Sequence, residues 1–226
     1  MCRHRCRKLR RVEARGEGQN RTGHRSCVGE HGANVFDLVG AEAYRKVRVQ
    51  QARERHPKEF AILQNNLATA FLSMPFADER AKLREALAVQ AFEEGLRAVS
   101  KIDHPVEFAM LQNNLGNALQ YVSSSHRIEN GFRALDAYDA ALEVRTRRDA
   151  PGEYANTIAN KANCLANLPD DPERPEAGNQ GNLASARALY AEALEIFLAL
   201  GAKGKAEAVA EALAEIDAEL TLPLRH

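Results

Sequence analysis

The sequence predicts an all-α protein built as a solenoid of stacked helical hairpins. The segment His104–Leu119 has a near copy 48 residues earlier, at His56–Phe71, and a looser copy at Ala150–Leu165. Self-similarity at a period of about 20 to 50 residues is typical of repeat proteins, whose units stack into one continuous core. Alanine is frequent in these segments, aromatic residues make up only 6% of the chain and Trp is absent. This composition favours closely packed helices over strands.

The three copies are predicted to be the first helices of three repeats. Apolar residues recur in the second copy at intervals of three and four, which places them on one helical face. They are Phe108, Leu111, Leu115 and Leu119, and their counterparts in the first copy are Phe60, Leu63, Leu67 and Phe71. Pro57, Pro105 and Pro151 stand at the expected first helical positions, where the missing N–H costs nothing. A glutamate follows each proline after two residues, where its charge favours the helix dipole.

Each first helix is followed by a second amphipathic segment. These segments are Leu83–Lys101, Gly131–Arg148 and Leu183–Leu200. They align on an aromatic residue, which is Phe92, Tyr138 or Tyr190, with small residues at helical spacing on either side. Small residues let a neighbouring helix approach closely, and the aromatic ring fills the gap beside them. We therefore expect each repeat to form a helical hairpin.

The predicted organisation is a basic, disordered tail over residues 1–33 followed by a solenoid over residues 34–226. The solenoid comprises an orphan helix, three repeats and a capping helix, over 38–55, about 57–101, 105–148 and 151–200, and 203–220. The orphan helix carries Tyr44 in register with Phe92, as expected for the second helix of an earlier unit. The last segment places apolar residues inward and Glu and Lys residues outward, as the end of a repeat array requires.

The segment Asn114–Ala118, together with Ala134, Tyr138 and Ala141, resembles the tetratricopeptide repeat family. That family has an Asn-Leu-Gly-Asn-Ala type core in its first helix and an Ala, aromatic, Ala pattern in its second. The resemblance covers about residues 38–200 and implies a right-handed superhelix of hairpins. The proline spacings of 48 and 46 residues exceed the usual unit of about 34 residues, and such long units are similar to those of bacterial multidomain signalling proteins. We expect the extra residues in a longer loop between the helices and in a longer second helix.

The resemblance also implies that the first helices line a concave groove that binds a partner. The predicted contact residues are Asn65, Thr69, Met110, Asn113, Asn117, Gln120, Asn156 and Asn163. Ile62 and Leu72 add apolar positions to this uncharged, amide-rich surface. Asn and Gln each present donors and an acceptor, which suits the backbone of an extended or helical peptide. The recurring Asn66, Asn114 and Asn160 are interpreted instead as structural residues that bond to loop or helix backbone.

The sequence shows no recognisable catalytic constellation. It has no Ser, His and Asp set, no phosphate-binding glycine loop and no paired carboxylates at a known spacing. Cys164 takes the small-residue position held by Ala70 and Ala118, so we expect it to pack at a helix interface. His56 and His104 precede the helix-start prolines and are interpreted as loop or capping residues. We predict a protein that is not an enzyme and uses no cofactor.

The zero formal net charge conceals a basic N-terminal segment. Residues 1–32 carry nine Lys or Arg against three acids, so the rest of the chain has 22 basic and 28 acidic side chains, a net of −6. The arginines between Arg3 and Arg15 could attract nucleic acid or another polyanion, although no aromatic residues are interleaved for base stacking. Residues of the types that bind zinc also occur here, but their spacing matches no common finger. They are Cys2, His4, Cys6, His24, Cys27 and His31.

The main functional hypothesis is a protein-interaction scaffold that binds a peptide or a helix of a partner protein in its groove. The alternative is a nucleic-acid- or polyanion-associated factor that uses the arginine-rich tail, with nucleic acid the less favoured partner. A third hypothesis is self-association through an unpaired first helix near Phe36–Val49. No stretch approaches the roughly 18 consecutive apolar residues of a membrane span, and no hydrophobic signal region follows the basic start. We therefore expect a cytoplasmic protein that does not enter a membrane.

Overall fold

The computed structural model describes residues 35–74, 79–122 and 126–221. These residues form eight α-helices and the short 3₁₀ helix Pro175–Ala177, with no strand among them. The α-helices are α1 Val35–Arg55, α2 Pro57–Ser73, α3 Glu79–Leu96, α4 Pro105–Tyr121, α5 Arg127–Leu142, α6 Pro151–Ala166, α7 Gln180–Ala199 and α8 Lys203–Thr221. The predicted all-α class is confirmed. The predicted basic tail, with its arginine, cysteine and histidine residues, lies outside the described residues.

The chain divides into two units, Met1–Tyr44 and Arg45–His226. In the first unit, the described residues 35–44 form the first part of α1, and the Tyr44 side chain is exposed. The second unit contains the remainder of α1 and the helices α2 to α8. The predicted bounds of the orphan helix were residues 38–55, and α1 begins three residues earlier.

The second unit is a helical-hairpin solenoid. Helix α2 packs against α3, α4 against α5 and α6 against α7, which gives three hairpins. Successive hairpins contact one another through α3 with α4 and through α5 with α6, and the first helices α2, α4 and α6 also touch in sequence. Helix α8 packs against α7 and caps the C-terminal end.

The starts of the first helices agree with the sequence pattern, whereas α3, α5 and α7 begin three or four residues before the predicted second segments, and α3 and α5 also end earlier. Helices α2, α4 and α6 begin at the predicted prolines. His56 and His104 occupy the positions just before these helices, but neither side chain makes a capping hydrogen bond. Helices α3 and α5 end at Leu96 and Leu142. They were predicted to continue to Lys101 and Arg148, so the expectation of a longer second helix is wrong for these stretches.

A turn built by side chains accounts for the early ends. Ser100 Oγ donates a hydrogen bond to Asp103 Oδ2 at 2.7 Å and accepts one from the Asp103 backbone N–H at 3.1 Å. Thr146 and Asp149 repeat both bonds after α5, at 2.7 and 3.0 Å. Hydroxyl and carboxylate side chains that bond nearby backbone compete with helix continuation. Residues 97–104 and 143–150 therefore form the connections between hairpins.

The core of the second unit contains a layer of aromatic rings. Phe92 of α3, Tyr138 of α5 and Tyr190 of α7 are all buried, as their shared sequence position predicts. Tyr138 lies so close to α4 that a Cβ added at Gly116 would be 2.6 Å from Tyr138 Cε1. The equivalent positions in α2 and α6 are Ala68 and Ala162. At this position, a glycine therefore occurs only in the hairpin where the aromatic ring, Tyr138, lies this close to the first helix.

Cys164 has the packing role that its sequence position predicts. Its side chain is 1% exposed, and Sγ donates to the Gly131 carbonyl oxygen at 3.4 Å. Burial raises the pKa of the thiol from 9.0 to about 11. Because the thiolate is the reactive form of cysteine, this environment keeps Cys164 unreactive at neutral pH.

Candidate functional site

Asparagine side chains of α2, α4 and α6 join into one chain of hydrogen bonds. Asn160 Nδ2 donates to Asn113 Oδ1 at 3.2 Å, and Asn113 Nδ2 donates to Asn114 Oδ1 at 3.1 Å. Asn114 Nδ2 then donates to Asn65 Oδ1 at 2.8 Å, and Asn65 Nδ2 donates to Asn66 Oδ1 at 3.4 Å. Bonds in such chains polarise one another and strengthen the set. The chain fixes the three first helices relative to one another along the surface that they share.

This arrangement mixes the two predicted classes of asparagine. Asn66, Asn114 and Asn160 were predicted to bond backbone, but they bond side-chain amides, and Asn114 and Asn160 do so between helices. Asn113, a predicted contact residue, is 7% exposed and uses both amide atoms inside the chain. Among the predicted contact residues, Asn113 therefore has the least surface for a ligand.

Asn117 is held by the aromatic layer beneath it. The Tyr138 hydroxyl donates to Asn117 Oδ1 at 2.7 Å. Burial raises the pKa of Tyr138 far above its ordinary value of 10.0, with smaller contributions from Cys164 and Tyr121. The hydroxyl thus remains a donor, and the bond orients the amide. Within the described part of the chain, Asn117 Nδ2 donates to no acceptor, so its two hydrogens are available to a ligand.

Asn163 is held from the side by an exposed tyrosine. Asn163 Nδ2 donates to Tyr121 Oη at 2.8 Å, and Asn167 Nδ2 donates to Asn163 Oδ1 at 3.1 Å. Tyr121 was not among the predicted contact residues. It is the last residue of α4 and lies beyond the repeated segment, where the first copy has Ser73. The repeat pattern therefore gave no indication of Tyr121. The one indication in the sequence was local: an aromatic residue follows an amide-rich helical segment.

Two cavities share Tyr121, the last residue of α4, in their linings. The larger, of about 340 Å³, is lined by residues that include Leu72, Met74, Arg84, Glu85, Asn117 and Tyr121. The smaller, of about 80 Å³, is lined by residues that include Gln120, Tyr121, Cys164 and Asn167. Gln120 Nε2 is buried and has no hydrogen-bond partner among the described residues. Leaving such a donor unsatisfied costs about 1–3 kcal/mol, so the site favours a molecule that brings an acceptor.

The structure brings three of the predicted contact residues together around Tyr121. They are Asn117, Gln120 and Asn163. Met110 and Asn156 are half-buried and lie in the N-terminal halves of α4 and α6. Thr69 Oγ1 donates to the Asn65 carbonyl of its own helix at 2.8 Å. We define the Tyr121 site as Asn117, Gln120, Tyr121 and Asn163 with the apolar wall of Leu72 and Met74.

The described residues show no group of three or more His, Cys, Asp or Glu side chains able to hold a metal ion. None of the described helices has the length and apolar character needed to cross a lipid bilayer. Comparisons with protein-family models, with curated proteins and with solved structures found no match to this chain. The Tyr121 site must therefore be interpreted from its own geometry.

Proposed function

We propose that this protein is a non-catalytic interaction scaffold, related to the tetratricopeptide repeats, that binds a peptide segment of a partner protein at the Tyr121 site. The proposal rests on one observation: amide N–H groups without an acceptor among the described residues lie beside the cavities at Tyr121. Asn117 Nδ2 and Gln120 Nε2 make no hydrogen bond within the described chain, and both residues flank Tyr121. A peptide backbone supplies carbonyl acceptors for such donors.

The cavity walls suggest what the peptide carries. Leu72 and Met74 are exposed apolar residues beside the exposed ring of Tyr121, so they suit one apolar side chain of the ligand. Arg84 and Glu85 contribute opposite charges to the same wall. Since these charges offset each other, we expect an internal peptide segment rather than a terminal carboxylate.

The cytoplasmic location of this scaffold stays a prediction from the sequence.

The proposal is tested by selecting peptides from a display library on the immobilised full-length chain. The affinity of the selected peptides is then measured by fluorescence anisotropy. We expect Leu72→Asp and Tyr121→Ala each to weaken binding by about tenfold or more, a loss of about 1.4 kcal/mol. Ile102→Asp is the matched control, since Ile102 is an exposed apolar residue in the connection between α3 and α4. It should leave the affinity unchanged.

Two outcomes would contradict the proposal. In the first, no peptide is selected, or the selected peptides bind the Leu72→Asp and Tyr121→Ala variants as well as the parent. In the second, ligands are polyanions whose binding survives both variants but is lost when the arginines between Arg3 and Arg15 are replaced by serine. That result would favour the tail-based alternative instead.

A further inference from the structure

The first helices of the hairpins share a face that points toward the preceding helix. In α4 this face contains Leu111 and Leu115, which are 0% and 8% exposed. Leu111 is covered by α3, because a Cβ added at Gly95 would lie 3.0 Å from Leu111 Cδ1. The second helix of one hairpin thus completes the core of the next.

The equivalent face of α6 is also covered by the hairpin before it. Its residues are Thr157 and Lys161, which align with Leu111 and Leu115 when the prolines at the helix starts are matched. Arg145, just after α5, donates from Nη1 to Thr157 Oγ1 at 2.9 Å. Lys161 forms an ion pair with Asp139 of α5. Although the chemistry differs from that in α4, the face is again occupied by the preceding second helix.

In α2 the same face is open. Leu63 and Leu67, which lie 48 residues before Leu111 and Leu115, are 67% and 47% exposed. The helix that precedes α2 in the chain is α1, which remains helical to Arg55 and leaves His56 as the one connecting residue. Helical hairpins use loops of about two to five residues. This connection is therefore too short to fold α1 back beside α2.

The sequence explains why α1 stays helical up to Arg55. The turns after α3 and α5 depend on Ser100 with Asp103 and on Thr146 with Asp149. With the same 48-residue offset, α1 has Ala52 and Arg55 at these positions. Neither can make the hydroxyl-to-carboxylate bond, so nothing at this point competes with the helix.

Helix α1 nevertheless has the register of a second helix. The 48-residue offset matches Tyr44 with Phe92 and Val47 with Gly95, and Val47 is exposed in the structure. Residues 45–55 carry five basic side chains and one acid, whereas residues 56–226 carry 17 basic and 25 acidic side chains. The helix that fits the open face in register, and whose charge is opposite to that of residues 56–226, is therefore α1, but its own connection prevents it from reaching that face.

We propose that two copies of this chain exchange their α1 helices, so that α1 of each copy covers Leu63 and Leu67 of the other. Exchange of an identical element is a direct route to a two-fold dimer, since both copies gain the same contact. Each copy then has a second helix beside α2, as α4 has α3 and α6 has α5 within one chain. The inference does not depend on the peptide-binding proposal, because the Leu63 and Leu67 face contains no residue of the Tyr121 site.

A disulfide trap tests the partner and the register together. Val47→Cys with Leu63→Cys reproduces the Gly95 and Leu111 contact, in a full-length chain whose Cys2, Cys6 and Cys27 are replaced by serine. We expect a covalent dimer on a non-reducing gel. The matched control is Val49→Cys with Leu63→Cys, because Val49 aligns with the exposed Arg97 and should stay unlinked. A disulfide within one chain, or no disulfide in the Val47 pair, would overturn the proposal.

The oligomeric state gives a second, independent test. We expect the full-length chain to sediment as a dimer in analytical ultracentrifugation, and Leu63→Asp with Leu67→Asp to raise the dimer dissociation constant by about tenfold or more. Ile102→Asp with Val106→Asp changes two other exposed apolar residues and should leave the dimer intact. Circular dichroism establishes that both variants remain helical. A monomeric parent, or a dimer that is insensitive to Leu63→Asp with Leu67→Asp, would contradict helix exchange.

Discussion

Helices α2 and α4 are near copies in sequence, yet they have different surroundings. Both begin at a proline, both carry the Leu-Gln-Asn-Asn-Leu segment and both have 17 residues. Leu111 and Leu115 of α4 are core residues, whereas the corresponding Leu63 and Leu67 of α2 are exposed. Local sequence therefore determines the helix, while the neighbouring hairpin determines which of its apolar residues are buried.

The largest expected difference between the two helices is in the cost of removing an equivalent leucine. Leu111→Ala should lower the free energy of unfolding by about 2–5 kcal/mol, because it opens a cavity in a filled core. Leu63→Ala should change the monomer by no more than about 0.5 kcal/mol, as exposed positions do. Urea denaturation of both variants at low protein concentration measures the difference.

The two leucine variants should also differ in how their stability depends on protein concentration. If α1 is exchanged between copies, the effect of Leu63→Ala should grow as the concentration rises, because a dimer contact stabilises by mass action. The effect of Leu111→Ala should not. Equal losses for the two variants at low concentration would mean that Leu63 is buried within one chain.

The second prediction concerns Gly116 of α4 and its counterpart Ala68 of α2. Helix propensity alone favours Gly116→Ala by about 1 kcal/mol. The added Cβ would lie 2.6 Å from a ring carbon of Tyr138, however, and overpacking of this kind costs about 1–3 kcal/mol. Because Tyr138 is fully buried and its hydroxyl is bonded to Asn117, the ring has little room to move. We expect a net loss of stability in thermal or urea unfolding.

Ala68→Gly is the matched control for this position. It should cost about 1 kcal/mol through helix propensity, since an alanine is already accommodated there. Unchanged or increased stability of Gly116→Ala would show that the Tyr138 ring can shift, and that the glycine is not required by the close approach.

Much of the fold could be predicted from the repeats, because helix starts and aromatic layers depend on local signals. The prolines mark the starts of α2, α4 and α6, and the shared aromatic position marks Phe92, Tyr138 and Tyr190. The exposure of Leu63 and Leu67 could not be predicted, because a periodic pattern shows which face is apolar but not whether a neighbour covers it. The early ends of α3 and α5 depend on the Ser100 and Thr146 turns, whose competition with the helix is not visible in hydrophobic spacing.

The candidate site was predictable only in part, for a related reason. The resemblance to the repeat family selects positions along the first helices, and three of the selected residues, Asn117, Gln120 and Asn163, lie around Tyr121 in the structure. It could not separate Asn113 from them, because the bonds that bury Asn113 come from Asn160 of the next hairpin and from the adjacent Asn114. Whether any of these residues contacts a partner stays a prediction.

The smallest expected effect concerns the buried aromatic residue of the second hairpin, Tyr138, compared with Phe92 of the first. In the first, Phe92 aligns with Tyr138, and Thr69 stands where the second has Asn117. Tyr138→Phe should lower the free energy of unfolding by about 1 kcal/mol at neutral pH, because Asn117 Oδ1 loses its donor.

The free energy of unfolding should also fall as the pH rises above 10. Burial raises the pKa of Tyr138 above its ordinary value of 10.0, so above that pH the folded chain holds a proton that the unfolded chain releases.

The stabilisation from this proton is present below pH 10 and is lost as the pH rises further. Each group of this kind contributes a slope of about 1.4 kcal/mol per pH unit. Cys164 and Tyr190, with pKa values raised to about 11 and about 12, add to the fall in the parent. Urea unfolding between pH 8 and about pH 11 should show a shallower decline for Tyr138→Phe. Phe92→Leu is the control for packing, since it lowers stability at every pH without changing the slope. An unchanged slope in Tyr138→Phe would mean that the Tyr138 hydroxyl ionises without unfolding, and that the layer above it is open to water.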